Sequence, residues 1–122
     1  MKEIIANSLQ KTISYTDYRA LVRNLLAEGK ATGPEQSEDL TNYSRLNDKR
    51  MKRLDKTIKI SEEVMLAFQK LKQPQTWLLL TEGWCGDAAQ NIPVLNKIAE
   101  ATEQIDLKIV LRDEHLPLMD LF

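Results

Sequence analysis

The sequence predicts an α/β fold in which a helical N-terminal half precedes a strand–helix–strand unit, and three observations carry that prediction. Before Pro74, apolar residues recur at helical spacing in three segments separated by breakers. After Pro74 the pattern changes to two short continuous apolar runs, Trp77 to Thr81 and Leu107 to Leu111. Between them Ala88, Ile92, Leu95, Ala99 and Thr102 recur at three and four, which describes one helix from about Asp87 to Thr102 despite Pro93. Two apolar strands joined through a helix imply a parallel pair with a right-handed crossover. The division expected is residues 1–73 as a helical extension and 74–122 as the strand–helix–strand part, the two forming one compact unit, since 122 residues suffice for one core and not for two.

Taken in order, residues 1–13 show little periodicity and are expected to form an arm. From Ser14 to Glu28, Tyr15, Tyr18, Val22, Leu25 and Leu26 fall on one helical face, Ser14 can cap, Asp17 stands in the first turn and Gly29 closes the end. Gly29 to Pro34 is a breaker cluster and reads as a loop. A second helix is expected from about Ser37 to Asp55, with Leu40, Tyr43, Leu46, Met51 and Leu54 as its packing side. Ser61 is the N-cap of a third, with Glu62 and Glu63 in the positive first turn, Ile60 and Met65 placed for a hydrophobic staple, and Val64, Phe68 and Leu71 continuing it. Trp77 to Thr81 reads as a strand covered on both faces. From Leu116 a short last helix is expected, Pro117 being tolerated in its first turn.

Seventeen basic against eighteen acidic side chains leave a net charge of −1, so no global field favours nucleic acid or an anionic membrane. No run approaches the roughly 18 apolar residues of a membrane span. One cysteine excludes an internal disulfide and any multi-cysteine metal site, and with a single histidine no structural zinc is expected either. Neither a metal nor a cofactor is called for, and a reducing cytoplasmic setting is the expectation. Between Arg45 and Lys59 seven basic residues face only Asp48 and Asp55; this is read as a solvated helix face, with an anion-binding face as the alternative.

The residues with chemical promise lie where the first strand meets its helix. Gly83 supplies a turn after Thr81 and Glu82, and Cys85 stands at the start of the helix. Backbone N–H groups there are unpaired and the macrodipole is positive, which biases a sulfur toward the thiolate that reacts. Cys85 is the candidate nucleophile, the alternative being a small buried hydrophobe. Asp87 adds a charge that opposes the thiolate. Trp84 is read either as a screen for the sulfur and a partner contact or as a partly buried turn residue. Glu82 is expected to be solvated, the alternative being a proton acceptor near the thiol, and His115 to lie at a helix start without chemistry.

Trp84-Cys85-Gly86-Asp87-Ala88 resembles the thioredoxin active-site turn, Trp-Cys-Gly-x-Cys, with alanine where the second cysteine belongs. Pro93 lies eight residues after the cysteine, where thioredoxins carry a proline that kinks this helix, and the strand ending at Leu111-Arg112-Asp113 resembles their next strand. The string Thr81 to Pro93 is similar to a bacterial thioredoxin-like subfamily with a helical N-terminal extension. The resemblance to the fold covers roughly Pro74 to Phe122. It implies a thiol–disulfide oxidoreductase in which Cys85 is catalytic and Trp84, Gly86 and Asp87 contact substrate, the partners being protein thiols or disulfides and glutathione. With Ala88 in place of the resolving cysteine, the chain is expected to work through one thiol. Leu79 stands where the family's buried acid would align. A redox-inactive thioredoxin-fold module that binds a protein partner is the competing reading. The resemblance also implies a cis-proline loop, a hairpin and a final helix that follow the second strand and have no counterpart here; the expectation is either that copies associate through the strands near Trp77 to Thr81 and Leu107 to Leu111, whose edge is left open, or that these residues are the ordered part of a longer protein.

Overall fold

The computed structural model describes residues 2–121, and its element order is α1 (Lys2–Leu9), α2 (Tyr15–Ala27), α3 (Glu38–Thr57), α4 (Glu62–Gln69), β1 (Gln75–Thr81), α5 (Gly86–Glu100), β2 (Ile105–Leu111), a single 3-10 turn (Arg112–Glu114) and α6 (Leu116–Met119). The fold is an α/β arrangement with a small two-stranded sheet and four helices before it. β1 and β2 pair in parallel from Gln75 opposite Ile105 to Thr81 opposite Leu111. Both strands therefore deliver their C-terminal ends to one side of the molecule, where the Glu82–Cys85 turn and the Arg112–Glu114 turn lie together. The second strand starts two residues before the apolar run that announced it, because strand pairing rather than hydrophobicity sets its first residues.

The three serines cap as capping chemistry requires: Ser14 Oγ accepts from the Asp17 N–H, Ser37 Oγ from Leu40 and Ser61 Oγ from Val64. Gly29 closes α2 with φ +73°, a backbone conformation that costs glycine nothing. One hydrophobic core joins the two halves of the chain, with Tyr15, Tyr18, Val22 and Leu26 of α2 and Met51 of α3 packed with Ala89 and Ile92 of α5 and Ile109 and Leu111 of β2.

Three expectations are corrected. The expected arm is, over the described residues 2–13, a docked segment: α1 docks on α6, buried Ser8 meets buried His115 at 3.2 Å between Oγ and Nδ1, and Ile13 bridges Ile109 on the outer side of β2 through bonds of 2.8 and 2.9 Å. His115 is thus held inside the α1–α6 contact. β1 is not covered on both faces; Trp77 to Leu80 are half-buried, with Trp77 edge-on to Phe68 of the lightly packed α4 at 5.9 Å. Finally, α3 turns a different side inward. Its buried residues are Thr41, Ser44, Asn47 and Met51, whereas Tyr43 is 57% and Leu46 46% exposed. Three of the four inward positions are polar because they have specific polar partners to meet, Ser44 Oγ bonding back to Leu40 O at 2.8 Å and Asn47 reaching the turn after β1.

Candidate functional site

Cys85 is the N-cap of α5, with φ −80° and ψ 113°, and its side chain makes no capping hydrogen bond. Cys85 is half-buried and lies outside the buried core cluster. Its backbone is fixed on both sides: the Cys85 N–H donates to Glu82 O at 3.0 Å, and Cys85 O accepts from the Ala89 N–H at 3.2 Å. A thiol thus stands at a helix start whose first N–H groups have no side-chain acceptor from the cap residue.

The turn that carries it is clamped from behind by the N-terminal half of the chain. The Gly83 N–H donates to Thr32 Oγ1 at 2.8 Å and the Gly83 carbonyl accepts from Asn47 Nδ2 at 3.1 Å, so the α2–α3 loop and α3 hold the two peptide units that flank one residue. The Thr32 hydroxyl in turn donates to Glu82 Oε2, while the Asp113 N–H donates to Glu82 Oε1 at 3.0 Å. Glu82 is only 2% exposed, which corrects its reading as a solvated carboxylate: it is the hub tying β1, the α2–α3 loop and the end of β2 together. Burial is the largest influence on it and raises its pKa, with the neighbouring Asp113 charge acting in the same direction and the two hydrogen bonds and Arg112 opposing. Tyr18, buried below, shares a 3.4 Å contact between its hydroxyl and Thr81 Oγ1. Burial pushes its pKa up to about 12, with charges at Glu82 and Cys85 among the lesser causes.

In front of the clamp the candidate residues share one surface. The Arg112 guanidinium lies 5.2 Å from the centre of the Trp84 ring, a cation–π contact from the end of β2. On the α3 side, Arg50 Nη1 comes within 3.8 Å of the position a Cβ would take on Gly86, and Arg50, Leu46 and Tyr43 line an open groove with Trp84 and Gly86. Asp87 is exposed, its carbonyl accepting from Asn91 Nδ2 at 2.7 Å. Ala88, where a second cysteine would stand, is partly buried against the core.

A family model described as thioredoxin matches residues 33–122. The chain belongs to the thioredoxin family. No curated protein and no solved structure gives a match. The family match begins at Gly33, well before Pro74, and so takes in α3, whose Asn47 holds the thiol turn. Within this thioredoxin-family chain the candidate Trp84, Cys85, Gly86 and Asp87 are contiguous by sequence; what the fold adds is their setting. Thr32, Asn47, Arg50, Glu82 and Arg112 surround them; of these, sequence singled out only Glu82, as an alternative proton acceptor, and Arg50, within the basic run. For Asn47 a signal existed, since Thr41, Ser44 and Asn47 recur at helical spacing, but a polar stripe on a charged helix reads as its solvent side. Among the described residues, no helix is long and apolar enough to cross a membrane.

Proposed function

We propose that this thioredoxin-family protein is a thiol–disulfide oxidoreductase working through the single thiol of Cys85, within the bacterial subfamily that carries a Trp-Cys-Gly-Asp-Ala turn and in a reducing cytoplasm. The observation that supports it most is the setting of Cys85 at the N-terminus of α5, half-exposed and free of a capping bond, on a turn held rigid from behind. In the first step the Cys85 thiolate attacks one sulfur of a substrate disulfide. A Cys85–substrate disulfide forms, the substrate S–S bond breaks, and the second substrate sulfur leaves as a thiolate that takes a proton from water. Since Ala88 offers no thiol, a low-molecular-weight thiol such as glutathione attacks the mixed disulfide, releases the substrate thiol and is left bonded to Cys85. A second molecule of that thiol then frees Cys85 and departs as its own disulfide. Trp84, Gly86 and Asp87 form the surface against which the substrate disulfide lies.

The test is modification by glutathione disulfide under native conditions, followed by mass spectrometry. One adduct on the folded wild-type chain and none on Cys85→Ser supports the reading. A thiol that reacts only after denaturation sinks it and leaves the partner-binding module. The outer edge of β1, which carries no strand among the described residues, is the proposed route to self-association, and sedimentation over a concentration series checks it.

A further inference from the structure

The apolar residues that α3 turns outward stand beside the thiol. Tyr43, Leu46, Arg50 and Arg53 follow one another at three, four and three residues, so they form a single stripe along the helix. The upper part of that stripe, with Leu40 and Trp84, walls a groove of ≈ 430 Å³ whose floor includes Asn47 and Gly86. The groove continues along α3 past Leu46 into a second hollow between Lys49, Arg50 and Arg53. Its chemistry therefore changes along its length, apolar beside Trp84 and cationic beyond.

The acids nearest the cationic part on its own helix are engaged elsewhere. The two acids in the middle of α3, Asp48 and Asp55, both turn to the opposite side and engage the buried Arg19 of α2, Asp55 at 3.5 Å and also through the Tyr15 hydroxyl at 2.7 Å. Among the described residues no ion pair engages Lys49, Arg50 or Arg53. Glu38 and Asp39 lie in the first turn of α3, at the far end of the stripe from Arg53, and Asp87 is exposed on the turn. With Asp48 and Asp55 taken up on the α2 side, Lys49, Arg50 and Arg53 are left as a basic strip on the flank of α3 that continues from Trp84 and Gly86.

We propose that this groove is a docking surface for an acidic peptide segment of a partner protein, with one apolar side chain seated against Tyr43, Leu46 and Trp84 and acidic residues along Lys49, Arg50 and Arg53. Charge complementarity selects the occupant: a basic or purely apolar segment would leave the arginines unmatched, whereas carboxylates can take bidentate bonds from them. That the docked segment brings a disulfide to Cys85 rests on the exchange chemistry proposed above.

The experiment follows backbone amide shifts in the reduced protein as cysteine-free peptides are titrated in. The probes are acetyl-Asp-Glu-Leu-Ser-Leu-Asp-Glu-amide, its counterpart with Lys and Arg for the acids, and its counterpart with Ser for both leucines. The expected result is saturable shifts at Tyr43, Leu46, Arg50 and Gly86 with the acidic leucine peptide, at least about tenfold tighter than with either counterpart and weaker at high salt. Leu46→Ser and Arg50→Glu should each weaken binding about tenfold or more, which marks an anchor at the centre of an interface. Leu46 is exposed in the free chain, so its replacement leaves the fold in place for the comparison. Equal affinity for the basic peptide, shifts confined to other surfaces, or a dimer that Leu46→Ser dissolves would overturn the proposal. Because the peptides contain no sulfur, an inert Cys85 overturns only the exchange reading and the substrate role of the occupant, while peptide binding still decides the docking surface.

Discussion

Replacing Glu82 by glutamine should stabilise the protein at neutral pH, although the residue is buried and fully bonded. The side chain accepts from the Thr32 hydroxyl and the Asp113 N–H, and neither bond repays the loss of water around a carboxylate that is 2% exposed, since its pKa stands above the ordinary 4.5. A raised native pKa means that the folded chain keeps a proton the unfolded chain has released. Between the unfolded value and the native one the native state therefore binds more protons, and stability falls by about 1.4 kcal/mol for each pH unit crossed. Below about pH 4.5 the penalty is absent; above the native pKa it is complete and constant. Glutamine keeps the acceptor for Asp113 and has no proton to lose, so Glu82→Gln should equal or fall slightly below wild type at low pH and overtake it as pH rises.

Glu82→Ala should destabilise, most clearly at low pH, where no buried charge is relieved. It leaves the Thr32 hydroxyl and the Asp113 N–H without their acceptor, and an unpaired buried donor costs about 1–3 kcal/mol, so the loss is about 2 kcal/mol or more before any cavity is counted. The assay is urea unfolding from about pH 4 to 8 on the three proteins, read as the difference between variant and wild type so that other titrating groups cancel. A Glu82→Gln advantage that grows as pH falls, or a difference independent of pH throughout, would refute the argument.

Three further outcomes follow from the same geometry. Asn47→Ala removes the Nδ2 donor from the Gly83 carbonyl and should cost about 1–3 kcal/mol in urea unfolding, with a changed rate of Cys85 alkylation because the turn loses one of its two clamps. Gly33→Ala places a Cβ at φ +89° and 3.0 Å from Asp113 Oδ2, so it should cost more than Gly29→Ala, where φ is +73° in open space and the loss is the backbone term of about 1–2 kcal/mol; equal losses in thermal unfolding would show the carboxylate yields freely. Ala88→Cys should raise turnover in an insulin-reduction assay by supplying the resolving thiol, and a wild-type rate already matching that variant would rule out the single-thiol mechanism.

The strand–helix–strand unit was legible because three independent signals agree there: continuous apolar runs of strand length, a helical repeat between them, and the Trp84-Cys85-Gly86 turn at the junction. The caps at Ser14 and Ser61 were legible for a local reason, since a serine before a helical segment meets its N–H groups whatever the tertiary structure does. The environment of the thiol was not legible. Glu82 accepts from Thr32, 50 positions earlier, and from Asp113, 31 positions later, and nothing local in a carboxylate at a strand end marks it for burial. α1 escaped for a related reason: its eight residues form a stable helix through α6 and the Ile13–Ile109 bridge, contacts that span almost the whole chain.

The side of α3 that faces the core explains the rest of the site. A helix normally buries its apolar stripe because that stripe gains most on leaving water, by about 25 cal/mol per Å². α3 instead buries Thr41, Ser44 and Asn47 against the loop and turn, where Gly83 and the helix backbone supply their partners, and it anchors itself hydrophobically through Met51. One rotation cannot serve both sets: with Asn47 aimed at Gly83, the residues three and four positions away, Tyr43 and Arg50, are carried to the flank beside Trp84 and Gly86. Exposure of Tyr43 and Leu46 is thus a consequence of holding the thiol turn from behind. A chain that clamps its Cys85 turn with α3 in this way also surrounds it with α3's apolar and basic side chains, so stability of the turn and recognition at its rim are coupled through a single helix orientation. Asn47→Ala should therefore disturb both together, whereas Leu46→Ser should leave the turn and its Cys85 alkylation rate unchanged.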